Sequence, residues 1–115
     1  HTVKETDNLT INDHQQWLVD FYKHRNWYQY SPFVHVAILT EEVGEVSRAV
    51  RATEIGRDHP GEKTATTAEK RSNLKEELAD TLDLVLVLSS LYDIDAQDLL
   101  EASEAKLTAR FKGGK

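Results

Sequence analysis

Cysteine and methionine are both missing from this 115-residue chain. Without thiols there can be no disulfide, no thiolate nucleophile and no sulfur-ligated metal, which suits a reducing compartment such as the cytoplasm. Long apolar runs are absent too. None approaches the roughly 20 residues of a membrane span, and no signal-peptide pattern opens the sequence, so a soluble cytoplasmic protein without a membrane partner is expected. Positive charge is in deficit: 14 Lys and Arg stand against 20 Asp and Glu, a formal net charge of −6. That balance excludes an ordinary phosphate-backbone binder, which depends on clustered Lys and Arg, and no nucleic-acid partner is expected. The five histidines, His1, His14, His24, His35 and His59, show neither HxxxH nor ExxH spacing, which disfavours zinc and a ferritin-like di-iron centre. The chain starts at His1 with no methionine, as a trimmed chain would, so His1 carries no argument.

What the chain has in quantity is helical periodicity. The length suits one domain, residues 1–115, with a single core. Four helical segments are expected, giving an all-α fold. The first covers about Asn12 to Arg25, with Ile11, Leu18, Phe21 and Tyr22 on one side. Ser31-Pro32 supplies an N-cap and a proline at the first helical position of the second, which ends near Ile55-Gly56. The polar stretch from Gly56 to Thr64 has turn chemistry. The third helix starts between Thr67 and Asn73 and runs to about Tyr92. Asp95 caps the fourth, which Gly113-Gly114 stops. No segment reads as a strand.

Within this pattern two pairs of acids stand at a spacing of three, Glu42-Val43-Gly44-Glu45 and Glu77-Leu78-Ala79-Asp80. At about 100° per residue, Val36, Leu39, Val43, Val46 and Val50 share one arc, into which Glu42 falls and at whose edge Glu45 lies. On the third helix Leu74, Leu78, Val85, Leu88, Leu91 and Tyr92 define an apolar face into which Glu77 and Asp80 project, while Glu76 and Asp83 turn outward. Partners three apart are about 5–6 Å apart at Cβ, so each helix can aim two carboxylates at one point. Ionised acids in an apolar setting cost several kcal/mol each unless positive charge compensates them. A divalent cation would do so. All-oxygen carboxylate ligands favour Mg²⁺, with Mn²⁺ as a substitute.

The stretch from Leu82 to Leu91, LDLVLVLSSL, is apolar on nearly every side. Such a helix is expected to be buried all round, and a lone four-helix chain of this size has too little material to cover it. A homo-oligomer packed through this helix, a homodimer or a tetramer, follows. Gly44 is costly inside a helix; it either suits close approach by a neighbouring helix or a ligand or is a tolerated imperfection. Trp17 and His35 read as packing residues.

The string Leu39-Thr40-Glu41-Glu42-Val43-Gly44-Glu45-Val46, followed by Glu76-Glu77-Leu78-Ala79-Asp80-Thr81-Leu82, resembles the EExxE and ExxD signature of MazG-type nucleoside triphosphate pyrophosphohydrolases, in the all-α NTP pyrophosphatase superfamily. The similarity extends from Phe21 through Arg25-Asn26-Trp27 to Lys106 and Arg110. It implies a four-helix MazG-like bundle assembled as a homo-oligomer. It implies Mg²⁺-dependent hydrolysis of an NTP or dNTP between the α and β phosphates, yielding a monophosphate and pyrophosphate in nucleotide-pool cleansing. By motif, Glu42, Glu45, Glu77 and Asp80 are the implied metal ligands. Glu41, Glu42 and Glu45 are the candidate catalytic carboxylates, with the general base open between Glu41 and Glu45. Trp27 matches a base-stacking position, and Lys106 with Arg110 a phosphate-meeting basic pair. The interval between Glu45 and Glu77 is longer than usual in the family. The extra length is expected in a loop from Gly56 to Ser72, an insertion or a lid offering Lys63, Arg71 or Lys75 to phosphates. Where relatives resembling deoxycytidine triphosphatases carry a second tryptophan and a tyrosine, this chain has Ala52 and Leu84, so that substrate choice is not implied. Two alternatives remain beside the enzyme: a catalytically silent nucleotide-binding sensor, and a helical oligomerisation module.

Overall fold

The structure, a computed structural model, describes residues 9–56 and 65–112. Four helices follow one another, α1 (Ile11–His24), α2 (Pro32–Glu54), α3 (Thr67–Leu91) and α4 (Ala96–Arg110), with no strand among the described residues. The expected all-α class is what the chain has. The expected stop at Gly113-Gly114 and the turn at 57–64, with Lys63 and His59, lie outside the described residues.

Each helix begins where a side chain can satisfy its first amides. Thr10 and Asp13 form a reciprocal capping box at α1. Ser31 accepts from the Val34 amide ahead of Pro32 at α2. Thr66 and Glu69 exchange bonds of 3.1 and 2.8 Å at the head of α3, a Thr-x-x-Glu signature that fixes a start the hydrophobic pattern left open. The helix therefore takes in Thr67 to Ser72, residues expected in the loop, and Arg71 lies exposed on a helix. Just past the C-cap of α2, Ile55, Gly56 has a φ of 91°, in the left-handed region that glycine enters without steric cost.

The chain divides into two compact units, residues 1–30 with 86–115 and residues 31–85. In the first, Leu18, Leu86, Val87 and Ala96 form a buried cluster, with Ile11, Tyr22, Tyr28 and Leu99 packed around it. Helices α1 and α4 lie against each other. Buried Gln15 ties this unit together. Its amide nitrogen donates to the carbonyls of Leu86 (2.9 Å) and Ile94 (3.1 Å), and its oxygen accepts from the Ala96 amide (2.9 Å). Asn12 Oδ1 accepts from the Gln97 amide and Asp95 Oδ1 from that of Asp98. Three consecutive amides at the head of α4 are thus paired with side chains. Asp93, at φ 61°, turns the chain from α3 into α4. Tyr28 and Ser90 pair their hydroxyls at 2.9 Å.

In the second unit, His35 and Ala49 are buried on α2 and Leu84 on α3. Val36, Val43 and Val50, spaced by seven, and Phe33 are exposed on α2, as are Leu78, Leu82 and Val85 on α3. Burial on every side of Leu82–Leu91 is therefore not achieved by one chain: Leu82 is 46% exposed, whereas Val87 is fully buried. Trp17, expected in packing, is 56% exposed, because its neighbours are other residues along the outer face of α1. His35 is buried as expected. Asp83, expected to face outward, is half-buried.

Candidate metal centre

Glu42 occupies the inner face of α2, one heptad from buried His35 and one from buried Ala49. That register sets a carboxylate in a stripe the helix otherwise turns inward. From α3, Glu77 and Asp80 bring their carboxylates to it. One oxygen from each of Glu42, Glu77 and Asp80 lies within 4.8 Å of the others. Ligands on opposite sides of one Mg²⁺ at about 2.1 Å lie about 4.2 Å apart, so small side-chain rotations would seat a single hard cation. The all-oxygen, anionic donor set fits that ion. Glu42 and Glu77 are half-buried and Asp80 is exposed, since no described side chain of α3 before Leu84 is fully buried.

Electrostatics agrees with the geometry. The Glu42 pKa is raised from its ordinary value, first by burial and then by the charges of Asp80, Glu77, Glu45 and Glu41. Loss of hydration and four acidic neighbours both disfavour its ionised form. A cation among these acids would reverse that penalty.

The other expected site residues divide clearly. Glu45, on the same helix, is outside the three-carboxylate cluster, with its Oε1 3.9 Å from Arg48 Nε. Glu41 is exposed one residue before Glu42, and Lys75, Lys106 and Arg110 are exposed on their helices. Trp27 lies in the turn after α1, where Asn26 adopts φ 63° and the Trp27 amide donates to the Tyr22 carbonyl at 2.9 Å. Its indole stands at steep angles to Phe21 (6.0 Å between ring centres, 71°) and Tyr22 (5.4 Å, 84°), and it is 39% exposed. Sequence reasoning did not single out Arg25, whose guanidinium lies over Phe21 at 4.4 Å and over Trp27 at 5.5 Å. The signal was present, since Phe21 and Arg25 are four apart on one helical face. No helix among the described residues is long and apolar enough to cross a membrane.

YvdC of Bacillus subtilis strain 168, an uncharacterized protein, is 41% identical over 104 residues, covering 90% of this chain and 98% of YvdC. Among solved structures, YPJD from Bacillus subtilis, proposed to be a pyrophosphatase, has a TM-score of 0.64 with 22% identity, over 95% of this chain and 99% of its own. At that identity the likeness shows a shared fold. Residues 31–114, which carry both acidic motifs, match the model of the MazG nucleotide pyrophosphohydrolase domain. With its acids on α2 and α3 and that match over most of its length, the chain belongs to the MazG nucleotide pyrophosphohydrolase family.

Proposed function

We propose that the whole chain acts as one cytoplasmic nucleoside triphosphate pyrophosphohydrolase domain, cleaving an NTP or dNTP between the α and β phosphates in nucleotide-pool cleansing. The observation that carries this reading is the meeting of Glu42, Glu77 and Asp80 within 4.8 Å. A bound Mg²⁺ would neutralise the phosphates and acidify an attacking water. Glu42, Glu77 and Asp80 would hold that ion, with Glu45 as a fourth ligand once free of Arg48. Glu41 or Glu45 accepts the proton of the attacking water. Trp27 stacks on the base, while Lys75, Lys106 and Arg110 meet phosphate charge.

The functional form is a homo-oligomer, a dimer or a tetramer. Support comes from the uncovered stripe of Val36, Val43 and Val50 and from Leu78, Leu82 and Val85. A second copy removes both sets from water.

The test is pyrophosphate release from a panel of NTPs and dNTPs, with Mg²⁺ or with EDTA, using Glu42→Ala as the control. Release that needs Mg²⁺ and is lost in the variant is expected. Tight triphosphate binding without release would replace the enzyme by a sensor, and neither binding nor release would leave an oligomerisation module.

A further inference from the structure

We propose that Arg25 is a positioning residue that acts through Trp27, holding the indole in the orientation that receives a base. The inference rests on the base-stacking role of Trp27 given above. Three contacts fix the ring: Phe21 and Tyr22 stand at 71° and 84° to it, and the Arg25 guanidinium lies over it 5.5 Å from its centre. The same guanidinium is 4.4 Å from the centre of Phe21, so one planar cation bridges a helical ring and a turn ring. Phe21 is anchored in its turn, nearly parallel to Trp17 at 5.3 Å and 12°. The left-handed Asn26 brings Trp27 back toward α1 so that all three groups can meet.

The guanidinium covers part of one side of the indole and leaves the exposed remainder available. A planar delocalised cation suits this bridge, since it stacks on ring faces where a lysine ammonium acts as a hydrated point charge. Holding the indole beforehand removes an ordering cost that a ligand would otherwise meet on stacking. Losing Arg25 therefore weakens binding of the base without touching the chemical step.

The experiment uses the full chain with Trp17→Phe, which leaves Trp27 as the single indole. An exposed cation–π contact corresponds to about a two- to fivefold effect. In Arg25→Ala the KM for a nucleoside triphosphate rises by about that factor with kcat unchanged, Trp27 fluorescence anisotropy falls, and inhibition by inorganic tripolyphosphate, which has no base, is unaltered. In a Trp27→Ala background the Arg25 substitution adds nothing, as coupling through one group requires. Equal weakening of tripolyphosphate would make Arg25 a phosphate contact and overturn the proposal. So would additivity with Trp27→Ala, or an unchanged KM in Arg25→Ala when Trp27→Ala raises it. If Trp27→Ala itself leaves KM unchanged, the base-stacking role fails, and the positioning role fails with it.

Discussion

Glu42 on α2 and Asp80 on α3, well separated in sequence, bring carboxylate oxygens to within 4.8 Å of each other, with Glu77 completing the triangle. Burial and the charges of Asp80 and Glu77 raise the cost of ionising Glu42, so its carboxylate is poorly balanced without a cation.

Added Mg²⁺ should therefore stabilise the protein as well as activate it. At a concentration near 100 times Kd the expected gain is about 2.7 kcal/mol, read as a rise in Tm. Asp80→Asn should lose most of that rise and all pyrophosphate release while keeping its helical circular dichroism. A rise of equal size in the variant would remove Asp80 from the ligand set.

Metal-free Glu42→Gln should be more stable than the wild type at neutral pH. The raised pKa of Glu42 means that the folded protein holds this proton more tightly than the unfolded chain. Ionisation therefore lowers stability as pH rises from the ordinary value of 4.5 through the raised one, and the whole penalty is present above it. The advantage of the glutamine variant should vanish below pH 4.5, where both side chains are neutral. Thermal melts in EDTA across that window check this; an advantage independent of pH would contradict it.

Gln15 should be among the most sensitive positions outside the metal centre. Gln15→Ala removes three hydrogen bonds and leaves the buried Ala96 amide without its side-chain acceptor, while the Ile94 carbonyl keeps the Ser89 hydroxyl as its remaining side-chain donor. A loss of about 2–4 kcal/mol is expected, measured from the urea midpoint. A loss below about 1 kcal/mol, the worth of one ordinary hydrogen bond, would mean that water takes over these partners.

Leu82→Asp should dissociate the oligomer. Leu82 is 46% exposed in the single chain, so the change costs the fold little but places a charge in the face assigned to a second copy. Sedimentation should show the wild type at twice the chain mass or more and the variant at the chain mass. A wild-type monomer at micromolar concentration would remove the interface.

The helices were legible because capping chemistry and periodicity coincide at Ser31-Pro32 and Asp95, and because Ile11, Leu18, Phe21 and Tyr22 share one side of α1; the Thr10–Asp13 capping box went unread. The start of α3 was blurred because a polar first turn carries no periodicity; only Thr66 and Glu69 mark it. Glu42 was legible as an inward acid, since its heptad neighbours His35 and Ala49 share its face. Exposure of Leu82 and Val43 was not, because a helical wheel shows which residues share a face and leaves open whether the same chain covers it. Gln15 escaped notice for a related reason: a polar residue between apolar ones looks like surface until the carbonyls it meets, far along the chain, are known. Trp17 was misjudged because an aromatic side chain suggests core wherever it stands.

The pairing of Asn12 and Gln15 with the head of α4 also bears on where this protein can be cut. The family match begins at residue 31, which would make 31–115 look like a sufficient unit. Excised there, the chain would lose the acceptors of the Ala96 and Gln97 amides together with Leu18, which packs on Leu86 and Val87. The leading helix, outside the recognised boundary, is for this fold a built-in splint whose removal would leave the last helix frayed at its first turn.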